Sequence, residues 1–133
     1  MSTYQKLLHS DITEKIIKGF YEVYSELGFG FLENVYENAL SIVLTSYDLI
    51  VEQQKLIPVV FRGNVIGEYK ADLTVENKVI VEVKAIKMLM TEHEAQILNY
   101  LKATQIEVGL LVNFGPKLTY KRFVFNNERK NNR

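Results

Sequence analysis

The chain has 133 residues, of which 47% are apolar and 24% charged, and its 16 basic and 16 acidic side chains cancel to a net charge of zero. That length supports one domain whose core buries ~65% of the unfolded surface; the lack of cysteine excludes disulfides and thiolate zinc sites, two histidines argue against a histidine zinc site, and any metal is expected to be held mainly by oxygen. No run of the sequence reaches membrane-span length, and its start lacks a basic-then-apolar secretion pattern, so a cytoplasmic protein without a membrane partner is expected.

In chain order, Asp11-Ile-Thr-Glu14 reads as a capping box. Ile12, Ile16, Phe20, Val23 and Leu27 then keep helical spacing up to Gly28 and Gly30, where positive φ is cheap and the helix should break. A second helix is predicted from Phe31 to Tyr47, with Leu32, Val35, Ala39 and Val43 inward and Asn34, Asn38, Ser41 and Thr45 outward. Three strands follow near 50–61, 65–75 and 79–85, with a hairpin turn at Gly63-Asn64. Thr91 and Glu94 form a second capping box for a helix from Glu92 to Thr104. Val108 to Asn113 is an apolar run suited to a strand buried on both faces, and Thr119 to Phe125 is the last strand. The order ααβββαββ describes one α/β (α+β) domain over residues 1–133, a mixed sheet flanked by helices. Lys117, Lys121, Arg122, Arg129, Lys130 and Arg133 crowd its end. They make either a local phosphate-contacting patch or a solvated tail, frayed from about residue 126. Net neutrality argues against tight nonspecific nucleic-acid binding.

The chemistry concentrates in the second and third strands. Valines at every second position from Val79 to Val83 set one buried face and leave Glu82 and Lys84 on the other. Tyr69, Ala71, Leu73 and Val75 repeat the pattern and send Lys70, Asp72 and Thr74 to the polar face. A loop of Glu76-Asn77-Lys78 that pairs Val75 with Val79 sets Asp72 opposite Glu82. Like charges so placed, with Cβ atoms about 4.5–5.5 Å apart, destabilise a sheet unless compensated. Mg²⁺ is a natural compensator, since it takes one or two carboxylates together with water and phosphate oxygens. On the third helix His93, Gln96 and Tyr100 fall at i, i+3 and i+7, one strip beside Ile97, Leu98 and Leu101. The strip either faces the acidic pair or forms an ordinary half-buried polar edge, and His93 is a phosphate contact or a surface residue. Glu33 borders an apolar stripe, beside Leu40 and Leu44, which costs energy unless the carboxylate is paired or metal-bound. The plain alternative is a first-turn glutamate favoured by the helix dipole. Tyr36, one turn on, orients that carboxylate or simply packs.

Asp72, then Glu82-x-Lys84, then a helix with Gln96-x-x-x-Tyr100 resembles the PD-(D/E)XK nuclease superfamily, and the last element resembles that of its exonuclease-like branch. Gly30-Phe-Leu-Glu33-Asn-Val-Tyr36 is similar to the signature of the small bacterial GxxExxY proteins, usually placed in that superfamily. The resemblance runs from about Leu27 to Phe125, with Ala71 standing where the superfamily's name has proline. It implies a restriction-endonuclease-like core and a metal-dependent nuclease acting on DNA or RNA, with DNA the favoured partner. Mg²⁺ or Mn²⁺ would be held by Asp72, Glu82, Glu33 and the Val83 carbonyl. Lys84 would position or deprotonate water or clamp a phosphate oxygen. Gln96 would bond a metal-bound water, a carboxylate or the scissile phosphate, and Tyr100 would support the backbone or a base. Members often act as homodimers. The rival readings are a catalytically silent nuclease-like module binding nucleic acid or protein, and a hydrolase of small phosphorylated molecules.

Overall fold

Helix α1 runs from Ser10 to Leu27 and buries Ile12, Thr13, Ile16, Gly19, Phe20 and Val23, a stripe at spacings of three and four residues. The computed structural model describes residues 8–130, so residues 1–7 and 131–133, the predicted tail end and Arg133 among them, lie outside the described residues. The capping box expected at Asp11 is not used. The chain enters α1 through His9 at φ 55° and ψ 30° with no side-chain cap, and the first amides, of Ile12 and Thr13, bond the His9 carbonyl at 3.1 and 3.0 Å. Asp11 therefore lies inside the first turn, where its charge suits the dipole. Gly28, at φ 68°, ends the helix as expected, its N–H bonded to Tyr24 O at 2.8 Å.

Helix α2 spans Glu33–Ser46 and buries Tyr36, Glu37, Leu40 and Leu44. This inward stripe is rotated by one residue, about 100°, from the predicted one. Leu32 is 76% exposed, and Val35, Ala39 and Val43 are only half-buried. Tyr36 sets the rotation. Its ring stacks on Phe114 at 4.6 Å and 1°, while its hydroxyl donates to Gly28 O at 2.6 Å and accepts the Phe31 N–H at 3.3 Å. The two helices then press together at Gly19, where a Cβ would lie 2.7 Å from a Leu44 methyl.

The sheet has the strand order β1-β2-β3-β4-β5, with β1 at Val51–Phe61, β2 at Asn64–Val75, β3 at Val79–Lys84, β4 at Val108–Phe114 and β5 at Leu118–Val124. All neighbours are antiparallel except β3 and β4. Helix α3, Thr91–Ala103, makes the crossover that a parallel pair needs. The first hairpin turns on Arg62-Gly63, at φ 49° and 78°, one residue earlier than predicted, because a two-residue turn matching strand twist needs positive φ at both positions. Val75 pairs with Val79, as the loop length required.

Helices α1 and α2 cover one face of the sheet, over Leu73, Val75, Val79, Val81, Val83, Val108, Leu110, Val112 and Phe114. Helix α3 covers the other, where Leu101 joins Ile57, Tyr69, Ala71, Ile80 and Ile106. It packs close: a Cβ on Gly109 would come within 3.0 Å of Ile97 Cδ1. Here the even alternation expected of β2 fails. Tyr69 and Ala71 belong to the α3 cluster, whereas Leu73 and Val75 belong to the α1–α2 cluster, so the strand changes face at Asp72. Thr74, assigned to the wet face, is 1% exposed. The change coincides with an irregularity across the ladder, where Gln54 takes φ 55° and Gln54 and Asp72 are both left unpaired between Gln53↔Leu73 and Lys55↔Ala71. Such a local irregularity re-aims side chains.

The end of the chain is docked as far as Lys130. Asn127–Arg129 form a 3₁₀ turn, and Lys130 Nζ donates to Thr104 O and Ile106 O, both at 2.9 Å. The fraying expected from residue 126 is therefore not found among the described residues. No described helix is long and apolar enough to cross a membrane.

Candidate active site

The β2–β3 ladder runs from Val75↔Val79 to Leu73↔Val81 and stops there. Backbone amides freed in a sheet need new acceptors, and the two acids supply them. Asp72 Oδ2 accepts the Val83 N–H at 2.8 Å, and Glu82 Oε1 accepts the Asp72 N–H at 3.3 Å. The two carboxylates predicted to face each other thus meet where the strands part, each holding the backbone of the other's strand. Glu82 also accepts the Tyr69 hydroxyl.

Both acids are short of compensating charge. Burial first, and the charge of Asp72 second, push Glu82 up to about 7; the Tyr69 hydrogen bond, the Asp72 N–H and the Lys84 charge pull the other way. Burial also raises Asp72, against the Val83 N–H, and the charges of Glu37 and Glu33 add to the rise while Gln54 opposes it. Tyr69 is pushed far up by its own burial and then by the Glu82 charge, which keeps its hydroxyl protonated as a donor. Among the described residues neither acid has an ion-pair partner.

Glu82 and Lys84 open into a cleft against α3, lined also by Tyr69, His93, Gln96, Ile97, Tyr100 and Leu111. The predicted strip of α3 therefore does face the acidic strand. The cleft narrows to about 10 Å³, the room of roughly one water. Tyr100 stacks on Tyr69 at 3.7 Å and 16°, so it buttresses the hydroxyl that holds Glu82. His93 Nδ1 accepts the Met90 N–H at 2.9 Å, and the His93 N–H donates to Met90 O at 3.0 Å. His93 is thus the helix cap, in place of the expected Thr91–Glu94 box, because α3 begins one residue early at Thr91. Glu94 pairs instead with Lys121 at 3.0 Å. Past Lys84 the chain is clamped by Asn113, whose amide bonds both Ile86 N (2.9 Å) and Ile86 O (3.0 Å).

Two expected members stand apart. Glu33 is exposed in the first turn of α2; it adds charge near Asp72, but no three His, Asp or Glu side chains among the described residues converge as a metal-holding group. Tyr36 fastens the α1–α2 turn rather than orienting Glu33, which resolves its two readings in favour of packing. The donors present nonetheless suit a hard divalent cation: two under-compensated carboxylates meeting at one strand opening, with the Val83 carbonyl between Glu82 and Lys84 in sequence. Two of the basic residues near the chain end part to opposite sides. On β5, Lys121 reaches Glu94 on α3, while Arg122 donates to Leu8 O before α1, as adjacent strand residues must point oppositely.

Three contributors escaped the sequence reading. Glu37 is 8% exposed and accepts Gln53 Nε2 at 2.9 Å and Gln54 Nε2 at 2.8 Å; Gln54 Nε2 also reaches Asp72 Oδ1 at 3.4 Å. Glu37 had a signal, four residues after Glu33 on one helix side. Tyr69 was assigned to the core by parity, and Gln54 carries no mark in sequence of its left-handed backbone.

The family described as the PD-(D/E)XK nuclease superfamily matches residues 10–123 of the chain. The solved crystal structure of SSO0001 is similar at a TM-score of 0.54 and 22% identity, over 89% of this chain and 60% of that one. At that identity the likeness is one of fold, and the chain spans only about three-fifths of the other's length. No curated protein matches the sequence. The five-stranded mixed sheet flanked by helices is the restriction-endonuclease-like core.

Proposed function

Since the chain belongs to the PD-(D/E)XK nuclease superfamily, we propose that it is a metal-dependent nuclease of the GxxExxY group that hydrolyses phosphodiester bonds, with DNA as the favoured substrate. The observation that carries this reading is the Asp72–Glu82 pair. Two carboxylates are held on each other's strands, raised above their usual range and left without an ion pair, with Lys84 on the same face as Glu82. Sequence arguments for stability would not retain such a pair, because it costs energy until a cation joins it.

In this reading Asp72, Glu82 and the Val83 carbonyl hold Mg²⁺ or Mn²⁺, with Glu33 available from the start of α2. The ion, when bound, supplies an acidified water and neutralises charge building on the phosphorane. Tyr69 keeps one Glu82 oxygen fixed through its hydroxyl, and the Val83 N–H keeps one Asp72 oxygen fixed. The Lys84 ammonium would steady a nonbridging phosphate oxygen, or, once deprotonated, its neutral amine would take a proton from the attacking water. Gln96 lines the cleft with a carboxamide able to donate to phosphate, and the Tyr69–Tyr100 stack closes the inner wall against bulk water. His93 offers its second ring nitrogen at the same rim. A homodimer through the outer edges of β1 and β5 and a cytoplasmic location, where DNA is met, belong to the same proposal.

Calorimetric titration with Mg²⁺ should give saturable binding that Asp72→Ala abolishes. Labelled linear and circular DNA and RNA, single- and double-stranded, should then be cut by the wild type and spared by Lys84→Ala. Absence of Mg²⁺ binding by the wild type sinks the enzyme. The neutral net charge and the dispersal of Lys121 and Arg122 to opposite faces favour one second reading, a catalytically silent module of the same fold. Nucleic-acid binding without metal or cleavage would support it.

A further inference from the structure

A buried carboxylate without a charged partner needs hydrogen-bond donors, and on α2 Glu37 finds two carboxamides from β1. Its Oε2 takes Gln53 at 2.9 Å and its Oε1 takes Gln54 at 2.8 Å. Gln53 Nε2 is also bonded to Asn38 Oδ1 at 2.7 Å, so that amide is occupied within α2. Gln54 Nε2 instead spans the gap to Asp72 Oδ1 at 3.4 Å. The same nitrogen therefore serves two carboxylates, one on the helix and one at the opening of the sheet.

The backbone is arranged around this link. Gln54 is a non-glycine residue at φ 55°, a conformation that costs energy unless its surroundings over-determine it. Gln54 and Asp72 drop out of the β1–β2 ladder together, and β2 changes face there. With Val83 on Oδ2 and Gln54 on Oδ1, both oxygens of Asp72 have assigned donors, which fixes the plane of the carboxylate.

We infer that Glu37 is a positioning residue for Asp72, acting through the Gln54 carboxamide: helix α2 sets the orientation of a carboxylate it does not touch. The inference rests on the nuclease reading for its consequence in catalysis, though not for the link itself. Residues that orient a metal ligand from behind are worth about ten- to a hundredfold in metal affinity. The position is distinct from Glu33, whose exposed carboxylate stands one turn earlier on the same helix. Glu37 needs no contact with metal or substrate to matter.

The test is a double-mutant cycle on the full chain, read two ways. Mn²⁺ affinity by calorimetry should fall about tenfold in Glu37→Ala and in Gln54→Ala, and the double variant should be no weaker than either single one, because the two act in series. Glu37→Gln, which keeps the volume and one acceptor oxygen, should recover most of the affinity, and it carries the comparison if Glu37→Ala does not fold. The Val83 backbone amide resonance reports the Asp72 carboxylate without metal. Glu37→Ala should displace it when Gln54 is present and leave it in place in a Gln54→Ala background. Losses that multiply in the double variant, or a Val83 resonance unmoved by Glu37→Ala, overturn the inference. A wild type that binds no Mn²⁺ but shows the Gln54-dependent Val83 displacement overturns the nuclease reading and leaves the Glu37 link standing.

Discussion

Glu82 is the residue whose environment most sharply limits what the protein can do with pH. Its carboxyl sits at about 7, lifted first by burial and then by the Asp72 charge, from an ordinary value of 4.5. An acid raised in the folded state binds its proton more tightly there than in the unfolded chain, so the metal-free fold loses stability as pH climbs from about 4.5 to 7 and levels off above. Denaturant unfolding of metal-free protein across that window should show the decline, and Glu82→Gln should remove most of it. A Glu82→Gln chain with the wild-type slope would place the titration elsewhere. The same proton competes with a cation, so Mg²⁺ affinity should fall as pH drops below 7. Tyr69, whose hydroxyl meets Glu82, was legible in sequence only as a core aromatic. Its polar partner comes from the change of face at Asp72, which no residue pattern announces.

At the scale of elements, the α1–α2 turn depends on one tyrosine. Tyr36 links Gly28 O and the Phe31 N–H through its hydroxyl and stacks on Phe114 through its ring. Tyr36→Phe keeps the stack and strands both backbone groups. It should cost about 1–3 kcal/mol of stability, read by denaturant unfolding, while leaving Mg²⁺ affinity within twofold. A large loss of affinity with unchanged stability would return Tyr36 to the metal site. The rotation of α2 follows from this anchor. Helix α2 has apolar residues on more than one side, at Val35, Ala39 and Val43 as well as at Leu40 and Leu44, so periodicity alone left its orientation open. Once Tyr36 turns inward, Glu37 goes with it and Leu32 is left outside. The strands were easier to place, since a three-residue loop and matching parity admit few registers.

For the whole molecule, the proposed cation would offset the repulsion of two buried acids, so the metal-free fold should lie below its attainable stability. Glu82 and Asp72 meet where β2 and β3 part, between the α1–α2 layer and α3. A ligand that binds only the folded chain adds about 1.4 kcal/mol at ten times its dissociation constant. Mn²⁺ or Mg²⁺ should therefore raise the melting temperature in a concentration-dependent way. Asp72→Ala should abolish the cation's effect. An Asp72→Ala chain still stabilised by Mn²⁺ would put the ion elsewhere.

From its sequence alone the order of two helices, three strands, a helix and two strands, the pairing of Val75 with Val79, and the shared strand face of Glu82 and Lys84 were legible. These depend on local spacing: alternation, helical period and a short loop act over a few residues and tolerate no slip without exposing a buried face. Only the tertiary structure decided that β2 changes face at Asp72, that His93 caps a helix, that Lys121 and Arg122 part to opposite sides, and that Glu37 rather than Glu33 is bonded toward the acidic pair. Each of these rests on contacts between residues far apart in the chain. Their geometry is set by how helix layers seat on a twisted sheet, and no interval of sequence encodes that by itself.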